Sequence, residues 1–567
     1  MTVGSVVRVD LRGRRVRGWV TTTDVAHPGA VELAPVRKVT GAGPPASVLE
    51  VAGWAAWRWA GRRPHLLRVA TARRAVALPA GAPAIVDAAP PARTARTASA
   101  TKGRAGDPSD PAAVGDQLAA DAWRQGRAIV RSPPAADDWP LVLGAVRRGR
   151  ALIIAPSVDR AEHLALRMGR AGVPVARYPE AWVRSAEGAV TIGARAAAWA
   201  PVTDLASLLV LDEHDEAHRS EAAPTWHARD VVTERAAREG AACVLSSPAP
   251  SLAALSWGWP VLRPSRIAER AGWPVVEVVD RRREDPTAGE WCSPTLARYL
   301  TAGQRLVAVV NRIGRARLAV CRSCGELARS DRGRALALEG DRFADPDTAE
   351  QRPVVCANCG STAFRRLRLG TEGVATEVAR MARRPVLEVT AASRQHTVRA
   401  DLVVGTEAAL HRVEAADVVV FVDFDQELLA PRYRAAEEAM ALLVRAARLV
   451  GSRAGGGRVV VQTRMPRHPV LDAALHADPG RMVDGEMATR QQLGLPPAVA
   501  MALVSGAGAS AYVDALTSSV LAGVEVRGPA DGRWQVLAPD HRTLCDALAA
   551  APRPAARLRV EVDPLRA

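Results

Sequence analysis

Residues 208–218 have the sequence LLVLDEHDEAH, an apolar run that ends in a burst of acids. A short, continuous apolar run is typical of a strand buried on both faces of a parallel sheet. Similar runs alternate with helical segments on either side, at RAIV (127–130), ALIIAPS (151–157), AVTIGA (189–194) and AACVLSS (241–247). A second set comprises RLVAVVN (305–311), PVLEV (385–389), DLVVG (401–405), DVVVFVDFD (417–425) and RVVVQT (458–463). The sequence therefore predicts an α/β protein with two tandem lobes of about five parallel strands each.

Composition and local pattern divide the rest of the chain around these lobes. Apolar and arginine residues alternate in SVVRVDLRGRRVRGWV (5–20), which predicts a β-rich N-terminal domain. A segment rich in Pro, Ala, Arg, Thr and Ser follows; it has too little apolar surface to fold and predicts a disordered linker. The predicted domains are an N-terminal domain (1–78), a linker (79–114), a first lobe (115–285), a second lobe (286–470) with an insertion (319–366), and a small α+β C-terminal domain (471–567).

The charge balance indicates a polyanionic partner. Lys and Arg number 76 against 60 Asp and Glu, which gives a net charge of +16 and a pI near 10.7. Such an excess favours nucleic acid as a partner, the alternative being a solvated basic surface. No apolar run reaches the roughly 18 residues of a membrane-spanning helix, and no targeting segment is visible. We expect a cytoplasmic protein without a membrane partner.

Two cysteine pairs predict a zinc site. CRSCG (321–325) and CANCG (356–360) each place two thiols on a tight turn followed by glycine. Two such knuckles complete one tetrahedral Cys₄ site, with Cys321, Cys324, Cys356 and Cys359 as ligands. The alternative is two unrelated surface turns with free thiols. The isolated Cys243, Cys292 and Cys545 are interpreted as small buried hydrophobic residues.

The order of several segments resembles the PriA family of replication restart helicases. VLDEHDEAHRSEAAPTWHARDVV (210–232) resembles the magnesium-binding motif of that family and the stretch that follows it. Further segments match the family pattern in order: IGARAAA (192–198), SSPAPSLAAL (246–255), VNRIGRAR (310–317), DLVVGTEAAL (401–410), DFDQELLAPRYRAAE (423–437), LGLPP (493–497) and VEVDP (560–564).

The resemblance implies two RecA-like lobes, a zinc-knuckle insertion and an N-terminal domain that binds DNA 3′ ends. It implies forked and single-stranded DNA as partners, together with primosome or replicative-helicase-loading proteins. It also admits a single-stranded-DNA-binding protein as a partner and association with the nucleoid. Candidate DNA-binding residues are Arg12, Arg14, Arg15, Arg17 and Trp19. The arginine-rich segment WRWAGRRPH (57–65) offers Trp57 and Trp59 for base stacking, or alternatively for a buried core. Members of the family usually bind two zinc ions, but residues 325–355 contain neither Cys nor His, so we expect one.

The chain departs from the family at the ATP site. The resemblance calls for a loop G-x-x-x-x-G-K-[ST] after the first strand of the first lobe, because its backbone N–H groups and its lysine hold phosphate. The chain instead has RSPPAADDWPLVLGAVRRGR (131–150), with Asp137 and Asp138 about where lysine and threonine are expected. The only lysines are Lys38 and Lys102. The arginine-finger segment is also altered: ARLVGSRAGG (447–456) leaves only Arg448 and Arg453 as remnants.

These departures predict a degenerate helicase. We expect no catalytic residues, vestigial roles for Asp212 and Glu213, and no binding of ATP or Mg²⁺. The predicted function is a replication restart protein that binds stalled or forked DNA and scaffolds primosome assembly without unwinding DNA. One alternative is an active ATP-dependent 3′-to-5′ helicase whose phosphate site uses Arg131, Arg147 and Arg148. Another is a zinc-dependent interaction protein that no longer takes part in restart.

Overall fold

The computed structural model describes residues 1–567 apart from 27–28, 30–33, 78–110, 283–290, 311–318, 325, 327, 330–335, 340–341, 345–350, 367–370, 394–396, 519–522 and 567. The chain forms two compact units. The first contains Met1–Ser132, Ala136–Ser265 and Gly485–Ala567, and the second contains Pro133–Ala135 and Arg266–Asp484.

The N-terminal part of the first unit is an antiparallel sheet followed by two helices. Its elements are β1 (Val6–Leu11), β2 (Arg14–Trp19), β3 (Val36–Gly41), α1 (Ala46–Arg58) and α2 (Arg63–Ala70). The strand order is β2-β1-β3. Arg12 and Gly13 connect β1 to β2 with φ of 48° and 73°. Two consecutive positive φ values match the tight turns that join twisted antiparallel strands, and glycine adopts this conformation readily.

The first lobe is a seven-stranded parallel sheet. Its strands are β4 (Arg127–Arg131), β5 (Ala151–Ile154), β6 (Val175–Arg177), β7 (Val190–Gly193), β8 (Ser207–Leu211), β9 (Ala242–Ser247) and β10 (Val261–Leu262), in the order β10-β4-β9-β8-β5-β7-β6. Its helices are α3 (Pro111–Gln125), α4 (Trp139–Arg147), α5 (Val158–Arg170), α6 (Trp182–Ala186), α7 (Ala228–Glu239) and α8 (Leu252–Leu255), with 3₁₀ turns at Arg195–Trp199 and Glu216–His218. Every residue of β5, β7, β8 and β9 is buried, as expected for strands covered on both faces.

The two faces of this sheet pack against different partners. One face packs against the helices of the lobe itself, with Trp123, Leu141 and Leu209 in its core. The other face contributes to a core shared with the N-terminal helices and the C-terminal domain, which includes Leu49 and Leu208. The N-terminal helices, the first lobe and the C-terminal domain therefore share one continuous apolar core.

The second unit is built on a six-stranded parallel sheet. The strands of this unit are β11 (Val275–Asp280), β12 (Leu306–Val309), β13 (Ala319–Cys321), β14 (Ala337–Glu339), β15 (Arg342–Ala344), β16 (Gln351–Pro353), β17 (Phe364–Arg366), β18 (Leu387–Val389), β19 (Leu402–Gly405), β20 (Val418–Phe421) and β21 (Arg458–Thr463). The large sheet has the order β11-β21-β20-β12-β19-β18. The helices are α9 (Arg266–Ala271), α10 (Pro294–Thr301), α11 (Thr371–Ala382), α12 (Ala408–Arg412), α13 (Asp425–Leu428), α14 (Ala435–Val450) and α15 (Pro469–Leu475), with a 3₁₀ turn at Pro479–Met482.

The insertion in the second unit forms two small antiparallel sheets, β13-β17 and β14-β15-β16. Phe343 on β15 is fully buried, and its ring lies 4.8 Å from that of Phe364 in an edge-to-face arrangement. Ala319, Ala328 and Leu336 complete this small core. The insertion therefore has an apolar core of its own.

The C-terminal part of the first unit is an α+β domain. Its elements are α16 (Val483–Leu493), β22 (Ala500–Ser505), α17 (Ala509–Ser518), β23 (Glu525–Ala530), β24 (Arg533–Ala538), α18 (His541–Ala550) and β25 (Arg559–Val562). Its antiparallel sheet has the order β23-β24-β22-β25.

The architecture confirms the predicted α/β class with two parallel-sheet lobes, a knuckle insertion, a β-rich N-terminal domain and a small α+β C-terminal domain. The lobes have seven and six strands rather than about five. One added strand, β11, falls within the range predicted for the first lobe but joins the second sheet. Most of the predicted linker lies outside the described residues, and α3 begins at Pro111, before the predicted linker end at 114. Among the described helices, none combines the length and the apolar character needed to cross a membrane.

Candidate functional site

The loop between β4 and α4, where the family resemblance calls for a phosphate-binding loop, contains two ion pairs. The carboxylate of Asp137 accepts hydrogen bonds from both terminal nitrogens of Arg167, at 2.8 and 2.7 Å. The same carboxylate accepts the backbone N–H of Trp139, the first residue of α4, at 3.0 Å. Asp138 is buried and accepts Nη2 of Arg160 at 2.8 Å. An internal carboxylate therefore binds the amino end of α4, the position where an anion is favoured.

The electrostatics of this loop oppose a phosphate ligand. Burial raises the pKa of Asp137, but the hydrogen bonds from Arg167 and from the Trp139 backbone outweigh burial and hold the pKa below its ordinary value. Asp137 is therefore ionised at neutral pH. Arg160 and Arg167 were missed as site residues, although a spacing of seven residues places both on one face of a helix.

The acids at the end of β8 occupy the carboxyl edge of the first sheet, as the sequence predicts. Glu213 is fully buried and accepts the backbone N–H of Ser251 at 2.6 Å and its hydroxyl at 2.8 Å. The same carboxylate pairs with Nη1 of Arg229 at 3.1 Å. Asp212 is also buried, with φ of 54°, and its carbonyl accepts the N–H of Asp215. Glu213 is thus committed to structural contacts.

Arg229 extends this cluster along α7. Its Nε donates to Asp230 at 2.8 Å, and its Nη1 donates to the Ser251 hydroxyl at 2.8 Å. Burial lowers the pKa of Arg229, but Asp230 and Glu213 outweigh burial and raise the pKa above its ordinary value. Arg229 and Ser251 were missed as site residues, since only the fold brings Ser251 to Glu213.

The four predicted zinc ligands come together in the insertion. The Sγ atoms of Cys321, Cys324, Cys356 and Cys359 all lie within 4.8 Å of one another. The Cys321–Cys359 and Cys324–Cys356 sulfur distances are 3.5 and 3.6 Å. A tetrahedron with Zn–S bonds of about 2.3 Å has S–S edges of roughly 3.8 Å, so the thiols fit Zn²⁺. The Cys₄ cluster could therefore hold a metal ion, by its geometry as well as by its donor chemistry.

Within the part of the chain that the structure describes, this is the one group of cysteine, histidine or acidic side chains with the spacing of a metal site. The segment between the two knuckles contributes the buried Phe343 to an apolar core instead. Arg352 covers this ring, with its guanidinium carbon 5.3 Å from the ring centroid. The described residues between the two knuckles therefore contribute to an apolar core, in the segment where the resemblance implies a second zinc site.

The N-terminal candidate DNA-binding residues are not electrostatically equivalent. Asp10 pairs with Arg15 at 3.7 Å and with Arg37 at 2.7 Å, which partly neutralises both. Arg12 and Arg14 are exposed at the turn between β1 and β2. Among these candidates, Arg17 belongs to a group of three cations on the sheet for which the described residues offer no ion-pair partner.

This group, here called the cation row, consists of Lys38, Arg8 and Arg17. Arg8 lies opposite Arg17 on β2 and opposite Lys38 on β3, so the three side chains share one face of the sheet. Among the residues that the structure describes, no carboxylate pairs with any of them. Burial lowers the pKa of Arg17, and repulsion from Arg8 and Arg68 lowers it further. The cation row is therefore a concentrated positive charge.

The three tryptophans proposed for base stacking have different environments. Trp19 is half-buried; its Nε1–H donates to the Thr71 hydroxyl at 2.9 Å, and Arg17 lies over its ring at 5.6 Å. Trp57 donates to Asp546 of the C-terminal domain at 2.9 Å. Trp59 is only 1% exposed. Trp59 is therefore a core residue, and the indole N–H of Trp57 is used in a contact between domains.

The three arginines proposed for an alternative phosphate site lie in different environments. Arg131 is buried on β4, and Arg148, just after α4, donates to the Trp123 carbonyl at 3.2 Å. Arg147 is exposed at the carboxyl end of α4, the end opposite to the loop at 132–138. In the second unit, Arg448 and Arg453 are both half-buried.

Comparisons with known proteins identify relatives for this chain. No family model matches it. It is similar to the replication restart protein PriA of Bacillus subtilis (25% identity over 345 residues, 56% of this chain and 43% of that protein). It is also similar to PriA of Treponema pallidum (29% over 344 residues; 55% and 51%) and of Haemophilus influenzae (24% over 418 residues; 64% and 56%). The chain thus spans about half the length of these curated relatives.

Solved structures also align with the chain. Saccharomyces cerevisiae Dbp5, bound to RNA and ADP BeF3, aligns with a TM-score of 0.37 and 10% identity, covering 66% of this chain and 93% of that chain. A DEAD box protein from Methanococcus jannaschii aligns with a TM-score of 0.32 and 8% identity, covering 64% and 88%. The fold class is therefore assigned from the sheet topology of the chain itself.

Proposed function

We propose that this PriA-like chain is a replication restart protein that binds stalled or forked DNA and scaffolds primosome assembly without hydrolysing ATP. The similarity to PriA proteins supports the role in restart. The proposed loss of ATP hydrolysis is supported by one observation. Ion pairs within the chain occupy both segments that the resemblance assigns to nucleotide, namely the loop before α4 and the acids after β8. Asp137 and Asp138 are paired with Arg167 and Arg160, and Glu213 is paired with Arg229.

The ion pairs of the loop argue against nucleotide binding. A triphosphate at this loop would have to displace the Asp137 carboxylate from Arg167 and from the N–H of Trp139. Even after displacement, two carboxylates would remain beside the phosphates, and like charges in close contact repel. The loop has no lysine to compensate.

The acids at the end of β8 argue against hydrolysis in the same way. A carboxylate that assists hydrolysis must face a water or a metal ion. Glu213 instead faces Arg229 and Ser251 in a fully buried site. Turning it toward solvent would leave the buried Arg229 with one partner fewer, which is costly in a low-dielectric interior.

The cation row supports DNA as the partner. Like charges placed directly opposite each other across strands destabilise a sheet. Three cations in one row therefore suggest a polyanion that neutralises them, and a phosphodiester backbone has suitable charge density. Trp19 lies at the end of the same face, beside Arg17, where a nucleobase could stack on its exposed part.

The zinc insertion is proposed to be a rigid surface for protein partners or DNA. The cysteine cluster would bind one Zn²⁺ through Cys321, Cys324, Cys356 and Cys359, which stabilises the fold of the two knuckles. The small core around Phe343 stabilises the segment between the knuckles without a second metal.

The alternative of an active helicase requires arginines to replace the phosphate loop. Arg147 and Arg148 are at the wrong end of α4 for this role, and Arg131 is buried. The other alternative, a zinc-dependent interaction protein outside restart, predicts equal affinity for a fork and for a plain duplex of equal length.

Two binding measurements on the purified full chain test the proposal. Calorimetric titration with Mg-ATP should give no binding heat at millimolar nucleotide. Fluorescence anisotropy should show tighter binding to a forked DNA than to a duplex of the same length. Saturable ATP binding contradicts the closed-site argument, whereas equal affinity for fork and duplex contradicts the restart role.

A further inference from the structure

A chain of ion pairs runs from the acids of the first lobe to the end of the C-terminal domain. Its members, in spatial order, are Glu213, Arg229, Asp230, Arg58 and Asp563. The successive N–O distances are 3.1, 2.8, 3.9 and 2.6 Å. Glu213, Arg229 and Asp230 belong to the first lobe, Arg58 ends α1 of the N-terminal domain, and Asp563 follows β25 of the C-terminal domain. One contiguous network thus connects three domains within the first unit.

The backbone around Asp563 directs its carboxylate into this network. Asp563 leaves β25 with φ of 51°, a left-handed conformation that aspartate tolerates better than most residues. Its N–H donates to the Met501 carbonyl at 2.9 Å, and its own carbonyl accepts a hydrogen bond from Arg219 of the first lobe. His541 contacts the second carboxylate oxygen at 2.7 Å. Both the backbone and the side chain of Asp563 are therefore held by other elements.

Charge and burial indicate that Arg58 is the central residue of the network. Its side chain is 8% exposed and lies between the carboxylates of Asp563 and Asp230. Burial lowers the pKa of Arg58, but these two carboxylates outweigh burial and raise it above its ordinary value. A buried guanidinium that loses one of two carboxylates is left undercompensated. Docking of the C-terminal domain is therefore electrostatically linked to the end of α1.

We propose that Asp563 is a latch. By pairing with Arg58, it couples docking of the C-terminal domain to the position of α1, and through Asp230 and Arg229 it couples this docking to Glu213 of the first lobe. An acid that faces nucleotide in a motor would then help to hold the C-terminal domain and the N-terminal domain together. The latch acts in addition to the shared apolar core and to the Trp57–Asp546 hydrogen bond.

The latch requires only these contacts and is independent of the proposed role in replication restart. Further contacts connect it to the proposed DNA-binding sheet. The β-sheet with the cation row is joined to α2 by the Trp19–Thr71 hydrogen bond, and α2 is held by Tyr178 and Trp182 of the first lobe, which donate to the Val69 and Ala70 carbonyls. Because α1 packs against α2, movement of α1 would loosen the helix to which the sheet is joined.

Hydrogen exchange of the full chain, measured by mass spectrometry, tests the latch. In Asp563→Asn, amides of α1 (Ala46–Arg58) should exchange at least about tenfold faster, because the latch then opens more often. Amides of α5 (Val158–Arg170), which is not in contact with the network, should be unchanged. Glu561→Gln is the matched control: it removes a carboxylate two residues away, whose ion pair with Arg559 lies within the C-terminal domain.

A double-mutant cycle separates coupling from general loosening. If Arg58 and Asp563 act together, Arg58→Met and Asp563→Asn combined should accelerate α1 exchange by several-fold less than the product of the single effects. Multiplicative effects would overturn the latch. So would acceleration in Asp563→Asn that is confined to β25 and α18. If Asp563→Asn does not fold, Arg58→Lys keeps the charge but loses the guanidinium Nη2 that lies near both carboxylates, and it should give a smaller acceleration at the same amides. Unchanged exchange in Arg58→Lys would then overturn the proposal.

Discussion

Replacing Glu213 by alanine discriminates between a working motor and a structural cluster. In a motor, loss of this acid abolishes hydrolysis but leaves the fold intact, because the carboxylate faces solvent and metal. Here the carboxylate is fully buried and makes its contacts with Ser251 and Arg229. The substitution would therefore remove structural bonds, and we expect a loss of stability.

The size of that loss follows from the contacts. Removing one partner of a buried ion pair costs about 3–5 kcal/mol, since the other charge is left buried. Arg229 retains Asp230, which favours the lower end of this range, while the lost bond to the Ser251 backbone adds to it. At roughly 2 °C per kcal/mol for a large domain, the melting temperature should fall by about 6–10 °C.

The assay is thermal unfolding followed by circular dichroism and calorimetry, under conditions where unfolding is reversible. Glu216→Gln is the matched control, because Glu216 is an exposed acid in the same loop. The control should melt within about 1 °C of the wild type, as surface substitutions usually have small effects. An alanine variant at Glu213 with an unchanged melting temperature would refute the reasoning.

The cysteine cluster, the cation row and Asp563 can each be tested by a direct measurement. Metal analysis should give one Zn²⁺ per chain, lost in Cys359→Ser but kept in Cys292→Ser; two ions per chain would contradict the single site. Replacing Arg8, Arg17 and Lys38 together by glutamine should reduce the slope of log K against log salt for single-stranded DNA by about 2, at roughly 0.7 per phosphate. Arg15→Gln should change this slope less, because the Arg15 cation is already paired with Asp10. Equal effects of the two variants on the slope would argue against the cation row. Burial raises the pKa of Asp563, but Arg58 and His541 outweigh burial and hold this pKa below its ordinary value. The contribution of the Asp563 carboxylate to stability should therefore be complete above about pH 4 and disappear as the pH falls further. Asp563→Asn should therefore flatten the acid limb of the stability profile, and an unchanged acid limb would show that Asp563 does not contribute.

The sequence allowed prediction of features that depend on local pattern. The buried strands β5, β7, β8 and β9 consist of short apolar runs with no polar face, which identified the first parallel sheet. The cysteine cluster was predictable because the spacing within each knuckle fixes its geometry before the two knuckles meet.

Features that depend on distant partners could not be predicted in the same way. The strand β11 has the sequence VVEVVD, and it was missed because Glu277 interrupts its apolar run. Arg58 and Asp563 are separated by 505 positions, and no local pattern indicates that they pair. The two interpretations of Trp57 and Trp59 stayed open for the same reason, since Asp546 lies in another domain.

The most direct test of the central claim is ATP turnover by the purified chain, measured with and without forked DNA at a salt concentration where anisotropy shows that the fork is bound. The proposed loss of the nucleotide site predicts fork binding with no turnover above the background of the Asp212→Ala variant. DNA-stimulated turnover that Asp212→Ala abolishes would show that the acids of β8 still act on nucleotide, and it would contradict the proposed loss of motor function.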